Sequence, residues 1–266
     1  MTRLIQGRQY QVYDHWNLCN RKIKIKLLRS QEKKEFSSLQ QNLQQLKTSL
    51  EEITETQQTS FEEISRTTIE RIEEEKESIV ALVNQSKLLV DCEMFKSQSS
   101  LLSTQIPNFC TQEFKLLFRG SRDGFTAKRF HEFCDNKGPT VQFIQSEKGF
   151  VFGGYTSIQM ISPTDDALLQ NDSDAFVFSL SKRSIHKQYQ YQQYAIRHDK
   201  DRMCAFGGGS DIAILDNCDK NTKNYSCLGY TYEPPNGYKD GTEEAYSYLA
   251  GEHNFKVLEI EVYQLQ

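Results

Sequence analysis

His131, Cys134 and Asp135 are the residues of this chain best spaced for nucleophilic chemistry. Residues three and four apart share a helix face. A thiolate nucleophile needs an imidazole directed at its sulfur and a third group that orients the ring. Cys134, however, falls on the apolar face that Ala127 and Phe130 mark at helical spacing. It is therefore expected to pack as a small hydrophobe. Gly207-Gly208-Gly209 follows a short strand, as a phosphate cradle would, but has neither GxxxxGK[ST] nor GxGxxG spacing and no long helix after it. A tight turn or a close strand approach is expected there. His15 and Cys19, four apart, fit two metal ligands on one helix face, with no second pair nearby. The run Glu70 to Ser78 (ERIEEEKES) lacks the Asp/Asn/Gly spacing of a calcium loop and reads as a solvated helix face. His198-Asp199 and Asp165-Asp166 read as turn chemistry in polar loops. With no triad, metal set or phosphate loop assembled, no enzymatic turnover, metal or cofactor is expected.

Polar loop residues beside rigid elements suit partner contact better than chemistry. Arg122 and Asp123 precede a helix expected from about Thr126 to Cys134, for which Asp123 and Thr126 are both candidate N-caps. Lys239 and Asp240 lie in the Gly-rich stretch before a short helix expected over Glu243 to Ala250, with Thr242 as its cap and Gly251 at its end. These four residues are the candidate partner-binding set.

The elements that must position them divide sharply. No Gly or Pro occurs between Gly7 and Pro107, whereas 13 of the 14 glycines and all five prolines lie beyond residue 106. The first part has the composition of a long helix and the second that of a turn-rich globule containing β-structure. Three segments are expected: a basic, amphipathic N-terminal segment (1–29), a long helix or coiled coil (30–106) and a globular domain (107–266). Within the second, Phe36, Leu39, Leu43, Leu46, Leu50 and Ile53 step by alternating threes and fours, which is a heptad seam. Gln57 and Ser60 then weaken the register, and apolar positions return in a shifted phase from Phe61, as a stutter would produce. Such a stripe cannot be buried on its own helix, so a partner helix is expected, from a second copy, another protein or a fold-back of the N-terminal segment.

The globular part opens with Phe114 to Phe118, stopped by Gly120. Strands are then expected over TVQFIQ, FVFGGYTS, AFVFSL, Tyr191 to Arg197, Ile212 to Asp216 and the final FKVLEIEVYQL, about seven in all. In the last, Leu258, Ile260 and Val262 alternate with Phe255, Val257 and Tyr263, and this two-sided apolarity indicates a central strand. Gly153-Gly154 marks a close backbone approach.

FRGSRDGFTAKRFHEFCDNKGPT with GFVFGGYTS, CAFGGGSDIAI, and the closing TYEPPNGYKDGTEEAYSYLAGEHNFKVLEIEVYQL together resemble a TLDc domain over about residues 107–266. The resemblance implies an α+β chain: the long helix, then a two-layer antiparallel β-sandwich flanked by short helices. It also implies a mostly non-enzymatic role linked to oxidative-stress resistance and to the vacuolar-type proton ATPase. Some relatives carry an extra C-terminal helix for that binding. This sequence ends three residues after Tyr263, which shifts the expectation toward the N-terminal rod.

The expected function is that of an interaction or scaffold protein, with a rod for assembly and a TLDc domain for partner recognition. The alternatives are regulation of the proton ATPase and a structural place in a microtubule or ciliary assembly. The near-balanced charge, -4 overall, gives no pull toward nucleic acid. No apolar run approaches the ~20 residues of a membrane span, and no secretory h-region is present. Seven cysteines without a CxxC pair are expected to be free thiols in a reducing cytoplasm.

Overall fold

The computed structural model describes residues 2–95 and 100–266, without the side chains of residues 2–19, 23, 25, 28, 86 and 88. The first element, helix α1 (Thr2–Met94), runs through most of the Gly- and Pro-poor stretch. The basic segment 1–29 is therefore part of this helix from Thr2 onward. The helix also stops earlier than residue 106: a 3-10 turn at Leu102–Thr104 and irregular chain lead into the globule. The pair His15 and Cys19 lies among side chains outside those described. The chain forms two compact units, one ending at Glu73 and the other spanning Glu74–Gln266. In the first, all six seam residues from Phe36 to Ile53 keep more than half of their surface exposed.

The second unit holds the strands. They are β1 (Phe114–Arg119), β2 (Thr140–Ser146), β3 (Val151–Thr156), β4 (Leu168–Gln170), β5 (Phe176–Ser179), β6 (Ser184–Lys187), β7 (Ile196–His198), β8 (Arg202–Phe206), β9 (Ile212–Leu215), β10 (Asn224–Ser226), β11 (Asn254–Phe255) and β12 (Val257–Leu265). They make two six-stranded antiparallel sheets, ordered β1-β12-β2-β3-β5-β6 and β11-β10-β9-β8-β7-β4. Short helices α2 (Gly120–Asp123), α3 (Ala127–Cys134) and α4 (Glu243–Tyr246) complete the unit. The α+β class that the resemblance implies is the observed one.

Among the described residues twelve strands replace the expected seven: β4, β6, β10 and β11 are too short to show alternation and are defined by their ladder partners, and β8 is the short strand that leads into the glycine run. Tyr191 to Arg197 is not one strand: a 3-10 turn at Gln192–Tyr194 precedes β7. His198 ends β7 and is buried, so it does not belong to a polar loop. Helix α4 stops at Tyr246, short of Ala250, although Thr242 caps it by accepting the Ala245 N–H.

The first sheet is covered on both faces. Between the sheets, Phe118, Ile144, Phe152, Ile260 and Val262 meet Phe206, Ile212, Ile214 and Tyr232. On the outer face, Val141, Phe143, Tyr155, Phe178 and Leu265 pack with Val90, Leu102, Ile106 and Phe109. A Cβ on Gly153 would sit 1.8 Å from the Gln142 carbonyl oxygen, so only Gly admits the β2–β3 approach there. Strand β12 departs from the expected alternation. A bulge between Val257 and Glu259 resets the register, so Val257 joins Ile260 and Val262 in the inter-sheet core. Phe255 belongs to β11, in the other sheet.

The sequence reading begins the globule at Pro107, but the compact unit starts at Glu74. Leu89, Val90 and Met94 of α1 pack in the outer core. Gln145 Nε2 donates to the Leu82 carbonyl at 2.8 Å. The buried Glu93 carboxylate accepts from Ser100 Oγ (2.6 Å), Leu101 N–H (3.0 Å) and Leu102 N–H (3.2 Å), which pins the 3-10 turn against the helix end. A chain starting at Glu74 is expected to melt cooperatively. One starting at Pro107 loses Val90, Leu102 and Ile106 from the core, a cost of about 5 kcal/mol at the usual value for buried aliphatics. Equal denaturant midpoints for the two would show that the helix end adds nothing to the domain.

Candidate functional site

The turn after β1 carries Arg122 and Asp123. Asp123 Oδ2 accepts the Arg119 N–H at 2.9 Å. Arg122 grips the same carboxylate with both Nε (2.9 Å) and Nη2 (2.7 Å), and Nη2 also donates to the Leu117 carbonyl at 3.2 Å. The Arg122 hydrogen bonds hold the Asp123 carboxyl below its usual value. The cap of α3 is Thr126, which accepts the Arg129 N–H; Asp123 instead closes the turn of α2.

On α3, Cys134 is fully buried, and burial pushes its thiol up. His131 turns away from it. Its Nδ1 faces Asp135 Oδ1 at 2.7 Å, and its Nε2 faces the carbonyls of Asp199 (3.1 Å) and Arg202 (2.9 Å). Because carbonyls only accept, Nε2 carries a proton. Asp135 Oδ2 in turn accepts from Ser162 Oγ. The ring thus ties α3 to the β7–β8 connection and has no nitrogen free to activate the sulfur. A different Cys–His contact exists, between Cys227 Sγ and His253 Nδ1 at 3.7 Å. That nitrogen lies 2.9 Å from the Ser226 carbonyl and so bears the proton, and burial pushes the Cys227 thiol up to about 11. Neither pair is set up as a nucleophile. Among the described residues, no group of three His, Cys, Asp or Glu is placed to hold a metal. Among the same residues, no helix is long and apolar enough to cross a membrane.

The glycine run is a turn built around Asp211. Gly207 has φ +84°, and a Cβ there would lie 1.9 Å from Asp211 Oδ2. The fully buried Asp211 carboxylate accepts N–H groups of Gly229 (2.9 Å), Tyr230 (3.1 Å) and Tyr232 (3.3 Å) on Oδ1, and of Thr231 (2.9 Å) on Oδ2. Burial pushes this carboxyl up to about 7, while the four N–H groups favour its anion. The segment it holds supports a tyrosine-rich surface. Tyr191 stacks on Tyr230 with centroids 4.8 Å apart, and the Tyr189 hydroxyl donates to the Gly229 carbonyl. The exposed Lys239 and Asp240 belong to the same neighbourhood: the Asp240 Cβ would lie 2.9 Å from a Cβ on Gly229. Tyr189 and Tyr191 remain 45% and 47% exposed, and Tyr238, beside Lys239, 41%. Exposed tyrosines beside charged groups are common anchors of protein interfaces. Lys239 and Asp240 are expected from the sequence as partner-binding candidates; the tyrosines beside them are not, because their exposure depends on what the fold leaves uncovered. Arg122 and Asp123 lie on α2, and no described contact joins them to this surface.

The TLDc family model matches residues 71–266, and the chain belongs to that family. A curated relative, the MTOR-associated protein MEAK7 of Danio rerio, is 31% identical over 80 residues. The match covers 30% of this chain and 17% of that protein.

Proposed function

We propose that the chain is a non-enzymatic interaction protein. Its helical unit serves assembly, and its TLDc domain recognises a protein partner through the tyrosine surface with Lys239 and Asp240. The observation that carries this reading is the exposed seam from Phe36 to Ile53, six large apolar side chains in heptad register on one helix. Such a stripe in water is stabilised only by a facing helix. The engaged His131 and the raised thiols of Cys134 and Cys227 support the non-catalytic side of the reading. The name of the zebrafish relative, an mTOR-associated protein, supports a regulatory setting.

Capture of the native partner on the immobilised full chain tests both halves. Leu43→Asp with Leu46→Asp is expected to abolish assembly. Tyr191→Ala with Lys239→Glu is expected to lower partner capture at least tenfold, as loss of an interface anchor does, with the melting temperature nearly unchanged. Arg122→Gln reports whether the α2 loop shares in recognition. Undiminished assembly of the seam variant, or undiminished capture by the surface variant, would refute the corresponding half.

A further inference from the structure

Charge is distributed along the helical unit with the same symmetry as its apolar seam. Residues 16–38 hold seven Lys and Arg against two Glu, whereas residues 51–73 hold seven Glu against two Arg. The intervening stretch contains one charge, Lys47. The seam midpoint falls between Gln44 and Gln45, and reflection about it exchanges the basic segment with the acidic one. The same reflection sets Phe36 opposite Ile53, Leu39 opposite Leu50 and Leu43 opposite Leu46. Every large seam side chain therefore meets another when two helices run in opposite directions. A parallel, in-register pair would also match apolar positions, but it would stack basic on basic and acidic on acidic. Helices in contact lie ~8–10 Å apart, about one Debye length at physiological salt, so the mismatch is felt along both segments. Like-charge juxtaposition selects orientation and partner even where it adds little affinity.

We propose that the helical unit pairs with a second copy of this chain, antiparallel and centred between Gln44 and Gln45. This rests on the assembly reading above and specifies its partner.

Three measurements on the full chain test it. Sedimentation equilibrium is expected to give a dimer that weakens as salt rises; a monomer at tens of micromolar would overturn the pairing. Chains carrying Leu39→Cys are then mixed with chains carrying Leu50→Cys, oxidised, and the linkages mapped by mass spectrometry. Antiparallel pairing joins residue 39 to residue 50. Two copies of residue 39 would lie about 16 Å apart along the axis at 1.5 Å per residue, beyond disulfide reach. Linkage of 39 to 39 and of 50 to 50 would establish the parallel arrangement and overturn the proposal. The third measurement leaves the seam intact. Glu55→Lys with Glu62→Lys and Glu63→Lys is expected to weaken self-pairing roughly tenfold, from several exposed charge pairs at the usual strength. Adding a chain with Lys24→Glu, Lys26→Glu and Lys33→Glu is expected to restore dimers as a mixed pair. Unchanged self-pairing of the first variant would contradict the antiparallel register. A monomeric wild type that still loses capture of a different protein through Leu43→Asp and Leu46→Asp would overturn self-pairing while leaving the assembly reading standing.

Discussion

Asp211→Asn is expected to destabilise the second unit by about 3 kcal/mol, the cost of leaving a buried donor facing a donor and weakening charge-assisted bonds. All four groups facing this carboxylate are backbone N–H donors, from Gly229, Tyr230, Thr231 and Tyr232. An amide offers one oxygen to satisfy what two carboxylate oxygens satisfy now. With the oxygen kept on the Oδ1 side, the NH2 meets the Thr231 N–H. The reverse rotamer strands three donors in place of one. Asp211→Ala removes every acceptor and is expected to cost more, about 5 kcal/mol. For a unit of this size, 3 kcal/mol corresponds to a drop in melting temperature of roughly 10 °C. The segment 229–232 also supports Tyr230 and places Tyr232 in the core, with its hydroxyl donating to the Ala195 carbonyl at 2.9 Å. Loss of the aspartate should therefore weaken partner capture as well as stability. Differential scanning calorimetry of both variants checks this, and a shift below 2 °C for the alanine would show that the turn holds itself.

Deleting Phe255 to Gln266 is expected to abolish cooperative folding of the second unit. Strand β12 is interior to the first sheet, pairing with β1 on one side and with β2 on the other. Val257, Ile260 and Val262 fill the space between the sheets, and Leu265 lies in the outer core. Arg119 Nε donates to Glu261 Oε1 at 2.6 Å, and the Tyr263 hydroxyl donates to Glu261 Oε2 at 2.8 Å, so a polar network is lost with the apolar one. The deletion also takes Phe255 of β11, whose ring meets Phe152 edge-on at 5.6 Å, from the second sheet. Four fully buried aliphatic and aromatic residues at about 1.5–3 kcal/mol each already match the stability of a typical domain. Near-ultraviolet circular dichroism and a denaturant titration are expected to show no cooperative transition. A milder probe, Ile260→Ala, is expected to cost about 3 kcal/mol through its cavity. A cooperative melt of the truncated chain would mean that β12 is dispensable.

Much of this protein is determined by sequence alone because it is local. The absence of Gly and Pro between Gly7 and Pro107 makes a long helix, and the alternating steps from Phe36 to Ile53 set its apolar stripe. Thr126 and Thr242 cap their helices by hydroxyls that reach backbone N–H groups three residues on. Gly153 is required by a clash with the neighbouring strand, and the Gly pair announces that approach before any strand partner is known. Cys134 sits on a face that Ala127 and Phe130 already mark as apolar.

Tertiary structure decided what depends on closure over distance. The alternation of β12 breaks at a bulge whose position is set by pairing with β2, so Val257 changes face and Phe255 changes sheet. The last turns of α1 carry the same residue types as the rest of the helix, yet Val90 and Glu93 are buried because the outer face of the first sheet has to be covered. His131 points away from Cys134 because two carbonyls 68 and 71 residues later take its Nε2. Asp211 acquires its role only when the chain returns 18 to 21 residues later with four N–H groups. The tyrosines around Gly229 look no different from buried ones in the sequence. Their exposure follows from which surfaces the two sheets enclose, and free energy assigns that over the whole fold, where no short stretch can encode it.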